Sequence, residues 1–255
     1  MSERRAQSFA VVAILLLFCT SCGVVRFIAT HDYEVNGVSA EKAAVWNREL
    51  QQDKDYVVLI HGYGSKSSFM EPIADLLTDK GYRVVNIQYP TTDSIESIAD
   101  IYITSVLQRL DSRVTTHFVT HSMGSVVLRY YLQRHSMSQL GKVVFVAPPS
   151  HGSPLADLAL ARWLRSGFGS GLLQLGANND SFVNSLPKPS YSCYVLAGNS
   201  GYPIFSWLIS GKDDGLVATD SAPLEGCKFK LITGVAHHSI VYDKRTLDEI
   251  ENYLK

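Results

Sequence analysis

The sequence predicts an α/β domain with a mainly parallel central sheet and helices on both faces. Three observations predict it. Short β-branched runs alternate with amphipathic stretches after residue 50, and these runs end at Gly or Pro signals such as Lys80-Gly81, Tyr89-Pro90 and Pro148-Pro149. Apolar residues make up 46% of the 255 residues and charged residues only 18%, which suits a buried sheet and excludes disorder. The formal net charge is −1, without the clustered Lys and Arg that nucleic-acid binding needs.

The first 22 residues stand apart. Arg4 and Arg5 precede an apolar run from Phe9 to Phe18, and Cys19-Thr20-Ser21-Cys22-Gly23 follows. A positive start, a short apolar core and then small residues form the pattern of an export signal. The run is about half the ~20 residues that a spanning helix requires. The segment resembles a bacterial lipoprotein signal, in which a Cys after small residues becomes the lipidated first residue. Cys22 holds that place, with Cys19 where such signals usually carry Leu. A plain cleaved signal or an uncleaved anchor are the alternatives. The chain is thus expected to divide into a signal over 1–22 and a domain over 23–255, exported to the cell envelope or periplasm and held at the membrane by lipid.

Within the body, Tyr56-Val57-Val58-Leu59-Ile60 reads as a buried strand ending in His61-Gly62. Phe69 to Leu77 has helical spacing and Lys80-Gly81 stops it. Arg83-Val84-Val85-Asn86-Ile87 is the next strand. Ser94 is an N-cap for a helix over Ile95 to Leu110, with Ile95, Ile98, Ile101 or Tyr102, and Val106 on one face. Val114 to Val119 is a strand, Val126 to Leu132 a helix, and Lys142 to Ala147 a strand stopped by Pro148-Pro149. Tyr191–Ala197 and Lys228–Ile232 are further strands, and Thr246 to Leu254 is a final helix. This alternation implies parallel strands joined by crossovers. Ser153 to Pro189 breaks the rhythm, and its Trp163, Leu164, Phe168, Leu172 and Leu173 suggest a cap or lid with an apolar underside.

Without Cys19 and Cys22, the body retains Cys193 and Cys227, each at the start of an expected strand. If those strands are parallel neighbours, the two thiols can pair in an oxidising compartment; two unpaired core cysteines is the other reading.

The chemistry centres on Thr120-His121-Ser122-Met123-Gly124 between a strand and a helix. A serine hydroxyl is a poor nucleophile and must be presented sharply beside a base, which a strand-turn-helix elbow achieves. Elbows usually carry Gly two residues before and two after the Ser; Gly124 matches, and Thr120 replaces the first. Two backbone N–H groups then receive the oxyanion, one from the residue after the nucleophile and one from the loop after an early strand. Met123 and Tyr63, in His61-Gly62-Tyr63-Gly64, hold those places. The acid and base follow in the order Ser, acid, His. Asp213-Asp214-Gly215 follows one late strand and His237-His238 the last, so Asp213 or Asp214, and His237 or His238, are the candidates. Asp157 is a further candidate acid. No Cys/His cluster has zinc spacing and no phosphate loop is present, so neither metal nor cofactor is expected.

His-Gly-Tyr-Gly, His-Ser-Met-Gly, Asp-Asp-Gly-Leu-Val and Gly-Val-Ala-His together resemble bacterial lipases and carboxylesterases of the α/β-hydrolase superfamily, from about Asp55 to the C-terminus. The resemblance implies the α/β-hydrolase fold, Ser122 as nucleophile, Asp214 as the acid because it directly precedes Gly215, and His237 as the base. It implies hydrolysis of carboxylic esters, small-molecule or lipid. Acyl transfer, thioester or amide cleavage would use the same triad. A non-catalytic binding protein on this fold is the rival of another class.

Overall fold

The computed structural model describes residues 44–46, 54–157, 165–201 and 208–255. The expected signal with Cys22, and Trp163 and Leu164 of the expected cap, lie outside these residues. The strands are β1 (Ala44–Trp46), β2 (Tyr56–Ile60), β3 (Arg83–Ile87), β4 (Thr116–His121), β5 (Leu140–Val146), β6 (Cys193–Gly198) and β7 (Lys228–Ile232). They form one sheet in the order β1-β3-β2-β4-β5-β6-β7. From β3 to β7 every pairing is parallel, and only β1 runs antiparallel, on β3. At three residues, β1 is too short to carry an alternating pattern, and the sequence reading does not include it.

Strands β2, β3, β4 and β6 are buried along their length because crossovers cover both faces, while β5 and β7 are more open at their starts. On one face Val58, Ile60, Val85, Phe118, Phe145 and Val195 pack under α2 (residues 95–107) and α3 (Met123–Arg134). On the other, Val57, Leu59, Val119, Val144 and Leu196 pack under α1 (Glu71–Asp79) and a C-terminal helix (Lys244–Leu254).

Local chemistry sets the helix ends. At the end of α1, Gly81 takes φ 88°. Its N–H donates to Thr78 O (2.9 Å) and the Tyr82 N–H to Leu77 O (3.0 Å), closing the helix in a Schellman motif. Ser94 caps α2 by accepting the Ser97 N–H at 3.2 Å. Within α2, Ile98–Ile103 is a π-helical turn. Its extra residue turns Tyr102 to the core and leaves Ile101 49% exposed, which decides between those two positions.

The stretch after β5 contains α4 (Pro154–Asp157), α5 (Arg165–Leu173) and α6 (Phe182–Ser185), and the C-terminal helix is therefore α7. Helix α5 is broken at Gly169, at φ 71° and ψ 172°. A Cβ there would lie 2.1 Å from Thr92 O, so only glycine permits this approach to the loop after β3. Ser170 N–H donates to Thr92 O (2.9 Å). Gln174 accepts the Ile95 N–H (2.7 Å) and donates to Glu96 (2.7 Å). Leu175 is buried. The described part of this stretch is thus seated on the body by backbone and side-chain hydrogen bonds. One further set of bonds is internal to the stretch and another joins it to α3. Asp157 accepts from Ala177 N–H (2.6 Å) and Asn178 Nδ2 (2.8 Å). The buried Arg129 of α3 donates to the carbonyls of Ser150 (3.0 Å) and Leu186 (3.2 Å).

At the opposite end of the strands, Cys193 and Cys227 form a disulfide with Cα atoms 4.7 Å apart. Parallel pairing of β6 with β7 sets Tyr194 beside Lys228, and so brings the preceding residues together.

Candidate active site

Ser122 occupies the turn between β4 and α3 at φ 50° and ψ −123°. That is a costly conformation for a residue with a Cβ, and it persists because the surroundings hold it. The Ser122 N–H donates to Val146 O (2.9 Å), and the Ser125 N–H donates to Ser122 O (2.9 Å). At Gly124 a Cβ would meet the carbonyl oxygens of Ile60 and His61 at 2.5 Å, so glycine lets α3 start directly against the end of β2. Thr120 fits where elbows usually carry Gly. Its hydroxyl meets that of Ser125 at 2.8 Å, and both residues are fully buried.

The Ser122 Oγ lies 2.9 Å from His237 Nε2, and His237 Nδ1 lies 2.8 Å from Asp214 Oδ2. The other Asp214 oxygen accepts from the N–H groups of Leu216 (3.1 Å) and Val217 (2.8 Å). Burial alone would raise the Asp214 pKa. The neighbouring His237 and the hydrogen bonds from its ring and from the two backbone N–H groups outweigh burial, and hold it below the ordinary carboxylate range. Asp214 and His237 are 2% and 1% exposed, so water does not compete for their contact. Their backbones also meet, since the His237 N–H donates to Asp214 O (2.8 Å).

The adjacent candidates are placed differently. Asp213 turns its carboxylate to the Gly215 N–H (2.8 Å), shaping the turn instead of meeting the imidazole. His238 is exposed, its ring edge-on to Phe69 with centroids 6.2 Å apart. Asp157 is committed to Ala177 and Asn178.

The loop after β2 lies against Ser122. A Cβ on Gly62 would fall 2.9 Å from Ser122 Cβ and 3.0 Å from His121 Nδ1, so this glycine permits the contact. The Gly62 carbonyl accepts from His61 Nδ1–H (2.9 Å). A trans peptide sets C=O and N–H antiparallel, and the chain has no cis bond among the described residues, so the Tyr63 N–H points away from the His61 ring. His61 stacks on Tyr89 at 4.2 Å, the Tyr89 hydroxyl donates to the His61 carbonyl, and Gly64 N–H donates to Thr91 Oγ1 (3.1 Å). Burial drives the His61 pKa down to about 4, only partly offset by its bond to Gly62, so the ring is neutral near pH 7. Met123 is the first residue of α3, and its N–H has no acceptor within the helix.

The sequence offers His121 only as part of the Thr120–Gly124 motif and Tyr89 only as part of the Tyr89-Pro90 stop, and gives Thr91 no place in the site. His121 directly precedes the nucleophile, which is the one signal that could have drawn attention to it. No local signal points Thr91 or Tyr89 to the site, because only the fold brings the loop after β3 beside residues 61–64. Among the described residues, no group of three or more His, Cys, Asp or Glu side chains is placed to hold a metal ion.

A serine at a strained turn, an imidazole on its hydroxyl and a buried carboxylate behind the imidazole have the geometry to deprotonate the hydroxyl for attack on an electrophilic carbon. Comparison with known proteins bears on the family and the fold. The profile described as "Alpha/beta hydrolase family" matches residues 57–227, more than half of the chain. A mature-form lipase of Bacillus licheniformis superposes with TM-score 0.64 at 19% identity, over 86% of this chain and 100% of the lipase. A metagenomic carboxyl esterase gives 0.60 at 20% identity, over 76% of this chain and 67% of its own. The type II thioesterase BorB from the borrelidin biosynthetic cluster gives 0.55 at 16% identity, over 83% and 96%. No curated protein matches the sequence.

Proposed function

The chain belongs to the alpha/beta hydrolase family and has that fold, and from this premise we propose that it is a serine hydrolase of carboxylic esters working through Ser122, His237 and Asp214. The observation that carries the reading is the unbroken hydrogen-bonded line from Ser122 Oγ through both nitrogens of His237 to Asp214. His237 Nε2 takes the hydroxyl proton as Ser122 Oγ bonds to the acyl carbon. The carbonyl π electrons move to oxygen, and the N–H groups of Tyr63 and Met123 receive the resulting oxyanion. Collapse breaks the bond to the leaving oxygen, which takes the proton from His237 and departs as an alcohol. Water then repeats the sequence on the acyl-enzyme, with His237 again removing and returning a proton, and Ser122 is regenerated with release of the acid. Asp214 stays ionised throughout and stabilises the imidazolium, a task favoured by its lowered pKa.

The disulfide between Cys193 and Cys227 supports placing the protein in an oxidising compartment, in keeping with an export signal over 1–22. Lipid attachment at Cys22 belongs to the same proposal, and mass spectrometry of the membrane fraction is its test.

A fluorophosphonate probe tests the chemistry. The intact protein is expected to be labelled and Ser122→Ala to remain unlabelled, with p-nitrophenyl ester hydrolysis lost in parallel. A folded wild type that takes no label would end the proposal. A chain-length series of those esters reads the preferred acyl group.

A further inference from the structure

His121 stands at the last position of β4, directly before Ser122, with its ring buried at 2% exposure. Its Nε2 lies 2.9 Å from the backbone carbonyl of His237, 116 residues further along the chain. A carbonyl only accepts, so His121 Nε2 carries the proton and donates. The His237 backbone is therefore held twice: its N–H by Asp214 O at 2.8 Å, and its C=O by the His121 ring. The His237 ring is held twice as well, by Asp214 Oδ2 and Ser122 Oγ.

We propose that His121 is a positioning residue that locks the loop carrying the base onto the strand carrying the nucleophile, through its Nε2–H bond to the His237 carbonyl. The inference rests on the serine-hydrolase reading for its catalytic consequence, and on geometry alone for the locking itself. Proton transfer between Ser122 and His237 depends steeply on distance, and misplacement of about 1 Å can cost about 100-fold in rate. The bond ties position 237 to the residue next to position 122, so the loop and the elbow move together.

The donor must also be neutral. His121 Nδ1 is buried with no hydrogen-bond partner. Protonating it would bury an unpaired N–H, in a ring whose centroid is 4.9 Å from that of His237. Burial is the main cause that holds the His121 pKa well below its ordinary value, with the neighbouring His237, His238 and His61 adding to it and the bond to the His237 carbonyl opposing it. Phe69 also packs against the ring, with centroids 4.9 Å apart, so a flat apolar replacement has a surface to pack on.

Two substitutions separate positioning from packing. His121→Phe keeps the ring and removes the donor; His121→Gln keeps an N–H donor at similar reach. With p-nitrophenyl esters, and rates expressed per fluorophosphonate-labelled site, His121→Phe is expected to lower kcat about 10- to 100-fold with KM within about twofold. His121→Gln is expected to recover to within about fivefold of wild type. A second readout does not depend on turnover. The far-downfield proton resonance of the His237–Asp214 hydrogen bond is expected to broaden or vanish in His121→Phe and to persist in His121→Gln. A His121→Phe protein with wild-type kcat and an intact resonance overturns the proposal. So does a Gln variant as impaired as the Phe variant in both. A wild type that shows the resonance but neither takes the probe nor cleaves esters sinks the hydrolase reading, while the resonance still tests the lock.

Discussion

At the scale of single residues, the two adjacent carboxylates separate what a sequence can and cannot decide. Asp213 and Asp214 are alike in type and both buried, yet one accepts a turn N–H and the other meets the imidazole. Replacing the wrong one should disturb a turn; replacing the right one should leave the imidazole without its orienting charge. We expect Asp214→Asn to lower kcat by roughly three to four powers of ten, by the logic of tautomer control. Asp213→Asn should stay within about tenfold, because an amide oxygen can still accept the Gly215 N–H. Steady-state rates of the two purified variants check this, and equal losses would contradict the assignment. Gly124 makes a similar point without any chemistry of its own. A methyl at that position would press on two carbonyl oxygens at 2.5 Å, so Gly124→Ala should displace the elbow and cut labelling of Ser122 sharply.

Among the elements, β6 and β7 matter most, because the loops bearing Asp214 and His237 follow them and the disulfide ties their starts. Opening that bond frees a closed loop of 34 residues in the unfolded chain, which chain-entropy reasoning values at about 3 to 4 kcal/mol. A Cys193→Ser, Cys227→Ser double variant should therefore melt several degrees lower; an unchanged calorimetric midpoint would show that the bond contributes nothing. These elements also show what could be read in advance. The bounds of β2 and β3 agree with their apolar runs, because a strand covered on both faces is a nearly continuous apolar word. Even β7, which is largely exposed along its first residues, was marked by Phe229, Leu231 and Ile232. The three-residue β1 carried no such pattern, and the π turn of α2 has the same composition as an ordinary helical turn. The motif residues around Ser122, Asp214 and His237 were legible because their chemistry restricts residue type. The supports behind them, Thr91, Tyr89 and the His121 bond, depend on three-dimensional neighbours that no local window contains.

For the whole molecule, the buried neutral histidines couple folding to pH. His61, His117 and His121 all have pKa values lowered by burial, that of His61 to about 4. His117 also accepts the Lys142 N–H on Nδ1 (2.8 Å) and faces Asp55 through Nε2 (3.3 Å), so its neutral form is the one the fold uses. In the unfolded chain these rings titrate near 6.5. Their folded pKa values lie lower, so their stabilisation is complete above about pH 6.5 and is lost as pH falls toward the folded values. Each ring contributes a slope of up to about 1.4 kcal/mol per pH unit inside that window. Asp214 does not oppose this trend, because its own contribution is lost only at lower pH, below the ordinary carboxylate range. The urea midpoint is therefore expected to drop between pH 7 and pH 5. A flat profile across that interval would contradict neutral burial of the three rings.

The hydroxyl of Ser122 and the imidazole that faces it are separated by 115 residues of chain. On the proposed mechanism, a ribosome that has just finished the elbow has made an inert alcohol, and it stays inert until the closing loop has been synthesised, has emerged and has docked. Reactivity therefore arrives last in the life of each molecule, after the rest of the sheet is available to receive that loop.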